Sequence, residues 1–395
     1  MTDRMLMDLT QYASWPARTG VQRTLLEVAR RWKDDRIEGR FGIWEGNGYL
    51  VGSLRAAGRV IGATFGQLDG SAAPDSVASA LTDLADEAID AREIEDRFVA
   101  FVLPEPTFQL GSLDVAAALS SSIRAPSCFL YFDALPLCHP QHFPRSADMD
   151  MMVTRYNRVV AGSDNVAFIS HATKETFENR IARRRVRRGV VLYPGADGVR
   201  PSVSSVARPP RFVVVGTIEP RKRHDLILDT FEDLWRRGRD YQLVLIGTGG
   251  WESSVLERIR RVSAAGDLVW LEFASDEDVR AELSKSSAAI FVSEAEGYGL
   301  PALEALSIGC PIVVSSDLPA LEAVAGGGQI RLDRVDVESL AAAVDTIADV
   351  ATNREARRAV GKLVLPSWKG FVDQLETWVG EVAGGAAPVT HGVAS

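Results

Sequence analysis

Five short runs of β-branched and other apolar residues recur in the second half of the chain: RFVVVG (211–216), QLVLIG (242–247), LVWLEF (268–273), AAIFVS (288–293) and PIVVSS (311–316). Runs so short and so uniformly apolar have no face to give to water, so they need cover on both sides. The segments between them supply it: helical apolar spacing is expected at about Asp225–Trp235, in SSVLERIRRV (253–262), near Glu277–Leu283 and from about Pro301. Strands regularly separated by helices make a doubly wound parallel sheet. The first half repeats the theme less cleanly. Strands are expected near Met5–Leu9, Arg40–Trp44, Phe98–Leu103, Ser127–Phe132 and Asn165–Ile169, with a helix in VQRTLLEVARRW (21–32), and residues 45–97 give the weakest pattern.

A chain of 395 residues exceeds one ordinary core, because domains usually run ~100–200 residues. The expected division is an N-terminal domain over 1–198, a proline- and serine-rich linker VRPSVSSVARPP over 199–210, and a C-terminal domain over 211–365. A helix over 366–382, with Trp368, Phe371, Leu375 and Val379 at three- or four-residue spacing, is expected to cross back to the first domain. A disordered tail over 383–395 follows. A net charge of -9 argues against nucleic acid as a partner. No run reaches the ~20 apolar residues of a membrane span, and MTDRMLMDLTQY lacks the apolar segment of a secretory signal, so a cytoplasmic location is expected. Cys128, Cys138 and Cys310 are too scattered for a disulfide framework. His139 and His142 in CHPQHFP are the only histidines close enough to suggest a metal clip, but their prolines favour a loop, and no metal is expected.

The chemistry concentrates in SEAEGYGLPALEALSIG (293–309). Here AAIFVS is the strand, Glu294–Leu300 the loop, and Pro301 opens a helix, where a residue without an N–H is at no disadvantage. Ligands of open α/β sheets bind beyond the carboxyl ends of strands, where helix N-termini carry orphan N–H groups and partial positive charge. Gly297 and Gly299 let backbone amides approach an anion, and Glu296 and Glu304, in the first turn of the helix, add acceptors for hydroxyls. A sugar nucleotide offers both the diphosphate and the polyol rings that such a loop suits. The bland alternative is that Glu304 only complements the helix dipole and Glu296 is solvated. A second stretch, VVVGTIEPRKRHDLIL, places Arg221, Lys222 and Arg223 at the start of the next helix, an unfavourable place for cations unless an anion joins them.

These motifs resemble retaining glycosyltransferases of family 4, which have the GT-B architecture of two Rossmann-like doubly wound parallel-sheet domains facing across a cleft. The E-x7-E signature appears as Glu296 and Glu304 within EGYGLPALEAL. VGTIEPRK with LIGTGGWE (245–252) is similar to the branch of bacterial O-antigen mannosyltransferases and rhamnosyltransferases, and DLTQY…TGVQR, YFDALPL (131–137), ISHAT (169–173) and LYPGAD (192–197) echo it in the first half. The resemblance implies that Glu304 holds the donor ribose, Glu296 the transferred hexose and Lys222 the diphosphate. It also implies that Gly216, Thr217 and the backbone from Gly297 through Tyr298 and Gly299 to Leu300 line the donor, with Gly20 under the phosphates from the other domain. Many members carry an arginine directly after the strand glycine, where this chain has Thr217, with Arg221 as the substitute. Many also carry a histidine before the aspartate of the first-domain loop, where Phe132 precedes Asp133.

The implied activity is metal-independent hexosyl transfer with retention, without a cofactor, from a nucleotide-diphosphate sugar, GDP-mannose favoured, to a glycan or lipid-linked acceptor in surface polysaccharide synthesis. Lys222 and Arg221 would stabilise the leaving phosphate, and Asp133 is the candidate for positioning the acceptor hydroxyl. Two alternatives stand beside it: a GT-B epimerase, and a catalytically silent subunit that binds a sugar nucleotide or glycan. Trp15 and Arg18 are candidates for the acceptor side, and Trp251 for a plug beneath the donor. RIARRRVRRGV (180–190) offers Arg183, Arg184, Arg185, Arg187 and Arg188 either to solvent or to the anionic inner face of a membrane.

Overall fold

The computed structural model describes residues 3–65, 74–197, 208–251 and 253–385; most of the expected linker and tail lies outside these described residues. The chain divides into two compact units. One comprises Met1–Leu137, Arg145–Gly195 and Ser367–Ser395; the other comprises Cys138–Pro144 and Ala196–Pro366.

The first unit is built on eight strands: β1 (Arg4–Asp8), β2 (Glu38–Glu45), β3 (Gly48–Ser53), β4 (Ala85–Asp90), β5 (Ala100–Leu103), β6 (Ser127–Tyr131), β7 (Val166–Phe168) and β8 (Val190–Val191). Their order is β4-β3-β2-β1-β5-β6-β7-β8. Seven of them run in one direction and only β3 is reversed, pairing antiparallel with both β2 and β4. The hairpin follows from Gly46-Asn47-Gly48, where Gly46 at φ +60° makes the reversal that an extended chain cannot. Winding leaves β1 toward β2 on one side and toward β5 on the other, so the direction of the sheet switches between β1 and β5. Helix Trp368–Ala383 belongs to this unit and buries Trp368, Phe371, Leu375 and Val379 on one stripe.

The arginine run is largely consumed within the same unit. Arg184 binds Asp164 and the carbonyls of Ala161 and Ser163, Arg185 pairs with Glu178, Arg187 with Asp164, and Arg188 donates to the carbonyls of Val382 and Gly385. These are the bonds of a domain edge, so the charge available to an external surface is smaller than the count of arginines implies.

The second unit holds six strands: β9 (Arg211–Val215), β10 (Gln242–Ile246), β11 (Leu268–Leu271), β12 (Ala288–Phe291), β13 (Ile312–Ser315) and β14 (Gln329–Leu332). All are parallel, in the order β11-β10-β9-β12-β13-β14, and the switch falls between β9 and β12. Phe212, Val214, Leu243, Leu245, Ile290 and Val313 are buried with Ile227 and Phe231 of the helix His224–Arg236 and with Leu340 and Val344 of Val337–Ala348. Each such side chain contributes roughly 1.5–3 kcal/mol on burial, so the sheet is a rigid platform for the loops at its carboxyl edge. Among the described residues no helix is long and apolar enough to cross a membrane.

Candidate functional site

At the switch point of the second sheet a cavity opens between the carboxyl ends of β9 and β12, lined among others by Val215, Lys222, Ser293, Glu296, Gly299 and Leu318. β9 ends in Gly216 at φ +141°, and a Cβ on that residue would lie 2.2 Å from Lys222 Nζ. A side chain is therefore excluded twice, by backbone conformation and by the lysine. Pro220–Lys222 makes one tight turn, and Arg223 at φ +55° hands the chain to the helix His224–Arg236. The three cations expected together thus separate: Arg223 becomes a backbone cap residue, while Arg221 and Lys222 turn toward the β12 loop.

Arg221 is the hub of that contact. Its Nη2 donates to Glu219 Oε1 at 2.5 Å, and its Nη1 lies 2.6 Å from Glu296 Oε2 and donates to the Ala295 carbonyl at 3.0 Å. The Glu294 N–H donates in turn to the Arg221 carbonyl at 2.7 Å, and Ser293 Oγ donates to Glu296 Oε1 at 2.9 Å. Arg221 is therefore committed to anchoring the loop that carries Glu296, a role that charge alone did not suggest.

Lys222 Nζ lies 3.7 Å from Glu219 Oε1, and its side chain is only 15% exposed. Burial pushes the ammonium below the usual lysine range, with Glu296 and Glu219 opposing and Arg221 assisting the fall. A lysine so placed lines the cavity with its charge disfavoured by burial, a condition that an anion would relieve. Behind it His224 is buried, and burial together with Lys222 lowers its imidazole to about 3, so it is neutral. Glu219 and His224 are site residues that sequence reasoning missed; both stand beside Lys222 in EPRKRH, and only burial distinguishes them.

On the opposite wall Gly299, at φ +99°, is the N-cap of helix Leu300–Ser307, and a Cβ there would meet Leu318 at 2.8 Å. The helix begins at Leu300, so Pro301 takes its second position, still among the residues whose N–H groups have no intrahelical acceptor. Glu304 stands at the fifth helical position rather than in the first turn, so complementing the helix dipole does not account for it. Gly297 and Tyr298 are buried, and the Tyr298 carbonyl accepts the Ala320 N–H at 2.7 Å, which ties the loop to the segment after β13. Thr217 is half-buried between Gly216 and the buried Ile218, whose N–H donates to the Thr248 carbonyl, and it is not among the residues lining the cavity.

The structure thus gathers Gly216, Thr217, Arg221, Lys222, Glu296, Gly297–Leu300 and Glu304 in one unit. Gly20 and Asp133 belong to the other: Asp133 lies two residues past the carboxyl end of β6, and Gly20 follows β1 and the helix Thr10–Ser14. Gly20 opens the helix Gly20–Arg31, capped by Thr19 Oγ1, and Asp133 Oδ1 accepts the Leu135 N–H at 3.0 Å. Trp251 is not a plug: its Nε1 donates to the His142 carbonyl at 3.0 Å, and its ring meets Phe143 at 6.0 Å, holding the Cys138–Pro144 segment on the second unit. His142 faces Glu294 at 3.4 Å. Among the described residues no group of three or more His, Cys, Asp or Glu is arranged to hold a metal ion.

Gly216→Ala is the direct test of this packing. The new methyl group displaces the Lys222 ammonium, so nucleotide affinity is expected to fall at least tenfold, about 1.4 kcal/mol, in a protein that still unfolds cooperatively. Unchanged affinity by calorimetric titration would place Lys222 outside the binding site.

Residues 199–362 match the family described as glycosyl transferases group 1. Over 348 residues, 82% of this chain, the sequence is 27% identical to a serotype-specific mannosyltransferase, WbdA, of Escherichia coli, and the match covers 39% of that protein. The chain therefore spans about two fifths of the length of the curated relatives it matches. A second relative, O-antigen chain mannosyltransferase B of Escherichia coli, is 33% identical over 153 residues, 37% of this chain and 40% of the relative. Among solved structures, Alr3699/HepE of Anabaena, determined with UDP and glucose, superposes with a TM-score of 0.62 over 97% of this chain and 99% of its own, at 17% identity. That likeness concerns the fold alone, two Rossmann-like domains of parallel-sheet α/β type. The chain thus has the GT-B fold, and its residues 199–362 are similar to the glycosyl transferases group 1.

Proposed function

We propose that the protein is a retaining glycosyltransferase that moves a hexose, mannose favoured, from a nucleotide-diphosphate sugar to a glycan or lipid-linked acceptor of surface polysaccharide synthesis. The observation that carries this reading is a single small cavity lined by the half-buried Lys222, by Glu296 and by the Gly299-capped helix start. Breaking the bond from the anomeric carbon to the diphosphate leaves negative charge on phosphate oxygen. Lys222 and the amides at the start of helix Leu300–Ser307 are already aimed where that charge develops, so little reorganisation is required as it forms. Glu296 is the candidate for the hexose hydroxyls and Glu304 for the ribose; Gly20 and Asp133 are the first unit's candidates for the phosphates and the acceptor hydroxyl. The leaving phosphate itself is the candidate base for that hydroxyl. Mannose is favoured by the two mannosyltransferase relatives, and GDP as its carrier by the motif resemblance alone. The exposed Arg183, Arg185 and Arg187 leave room for a peripheral contact with an anionic inner membrane face.

Thermal unfolding with GDP, UDP, dTDP and ADP, followed by turnover of the matching sugar nucleotides on a mannan or lipid-linked acceptor, tests the reading. A nucleotide at ~100 times its dissociation constant adds about 2.7 kcal/mol. One nucleotide is expected to stabilise the wild type, much less so Glu304→Ala, and its sugar is expected to be transferred. Binding without transfer would instead favour a silent subunit, and stabilisation by none of the four would remove the sugar-nucleotide reading.

A further inference from the structure

Glu105 lies two residues beyond β5, where the first sheet switches direction between β5 and β1. It is 3% exposed. Its Oε2 accepts from Gln22 Nε2 at 3.4 Å, and its Oε1 has no hydrogen-bond partner among the described residues. Gln22 sits in the first turn of helix Gly20–Arg31 and is itself a clasp. Its Nε2 also donates to the Trp15 carbonyl at 2.9 Å, its Oε1 accepts the Ala17 N–H at 2.5 Å, and its backbone N–H donates to Thr19 Oγ1 at 3.2 Å. On the other flank the Phe108 N–H donates to Gln11 Oε1 at 3.0 Å. The segment after β5 therefore grips both sides of the loop that presents Trp15, 71% exposed, and leads to Gly20.

We propose that Glu105 is a positioning residue which, through Gln22, sets the Trp15–Thr19 loop and the first turn of helix Gly20–Arg31 for the sugar transfer proposed above. The inference rests on that reading only for its purpose; the clasp itself is a property of the first unit. The groups acting on Glu105 are the Gln22 amide, the Asp8 carboxyl at the end of β1 and the Tyr12 N–H of helix Thr10–Ser14. The buried Tyr156 hydroxyl of helix Ala147–Gly162 also feels Glu105, together with Asp133 after β6. None of these is a cation. Burial pushes the Glu105 carboxyl up to about 8, and Asp8, which accepts from the Thr10 N–H at 2.8 Å and Tyr49 Oη at 2.7 Å, is also raised by burial. Glu105 is thus a neutral acid at pH 7. When it ionises, an uncompensated charge appears beside Asp8, and water reaches it only if the covering loop opens. The sign follows: the raised carboxyl favours the folded state below the ordinary glutamate range, and that advantage is lost as pH rises toward about 8.

The test compares wild type, Glu105→Gln and Gln22→Met by hydrogen exchange in peptides covering residues 12–22 at pH 6.5 and 9, corrected for intrinsic rates, and by transfer rate across the same range. Glutamine reproduces the neutral carboxyl and cannot ionise. The wild type is expected to lose protection in 12–22 above about pH 8, and its rate to fall toward about tenfold per pH unit there. Glu105→Gln is expected to keep its protection at pH 9 and to lack that component of the fall, whereas Gln22→Met already resembles the alkaline wild type at pH 6.5. Because Lys222 also titrates early, the difference between wild type and Glu105→Gln is the readout rather than either profile alone. A Glu105→Gln protein that follows the wild type in both measurements, or that has lost protection at pH 6.5, overturns the proposal. Absence of transfer in the wild type at every pH overturns the function instead, and the clasp then stands or falls on exchange.

Discussion

Lys222→Met is expected to lower turnover by about 10²–10³, the usual loss when one preorganised partner of a developing oxyanion is removed, while leaving the ligand-free protein at least as stable as the wild type. Two features of the site lead to this combination. The lysine is enclosed, and burial is the largest influence on its charge, so in the absence of ligand it stands as a cost to the fold. Its removal leaves no carboxylate stranded, because Arg221 already pairs with both Glu219 and Glu296. Methionine matches the length of the side chain and keeps the apolar contacts of its stem. The measurement is a pair: the melting temperature without ligand, and turnover of the donor with and without acceptor. A variant within about threefold of wild-type turnover would show that the diphosphate does not depend on Lys222. A variant that no longer folds would assign the lysine to the structure instead.

The second unit was legible because its strands are buried on both faces, so FVVV, LVLI and AAIFV are apolar throughout and followed by glycine or serine. β14 escaped for the converse reason: QIRL is a half-exposed edge strand whose alternation is too short to stand out. β4 escaped because three of the six residues of ADEAID are acids and Ile89 is its one large apolar side chain, and β3, GYLVGS, because it is short and bounded by glycines, although Gly46-Asn47-Gly48 carried a hairpin signal. At the site, residue types were readable and partners were not. The acids on either side of the glycine turn and the PRK turn pointed to the chemistry proposed above. Nothing in the order of residues shows that Glu219, two positions before Arg221, and Glu296, 75 after it, converge on one guanidinium. Glu105 was hidden more deeply: between Pro104 and Pro106 it reads as a loop acid, and only the approach of Gln22 and Asp8 through the tertiary fold makes it a buried, proton-bearing group.

Arg221→Ala is expected to destabilise the second unit by about 3 kcal/mol, because removing one partner of a buried ion cluster strands the others, which for a unit of this size is a fall of ~6–12 °C in melting temperature. Glu219 and Glu296 are left facing one another with only Lys222, whose Nζ is 3.7 Å from Glu219, and the Ala295 carbonyl loses its donor. Lysine in place of Arg221 restores little, since one ammonium cannot reach two carboxylates and a carbonyl in the planar fork that a guanidinium offers. Adding Glu296→Gln to Arg221→Ala is expected to recover part of the loss, a coupling of about 1–2 kcal/mol for groups in direct contact. The result separates two roles that the sequence left together. A diphosphate ligand that does no structural work would leave the melting temperature unchanged and weaken only nucleotide binding. An anchor costs stability in the absence of any nucleotide, and its loss frees Glu296 from the geometry in which Ser293 and Arg221 hold it. Since a catalytic carboxylate gains most when it is oriented before the donor arrives, the anchor makes a second, linked demand: turnover in Arg221→Ala should fall further than the loss of nucleotide affinity accounts for.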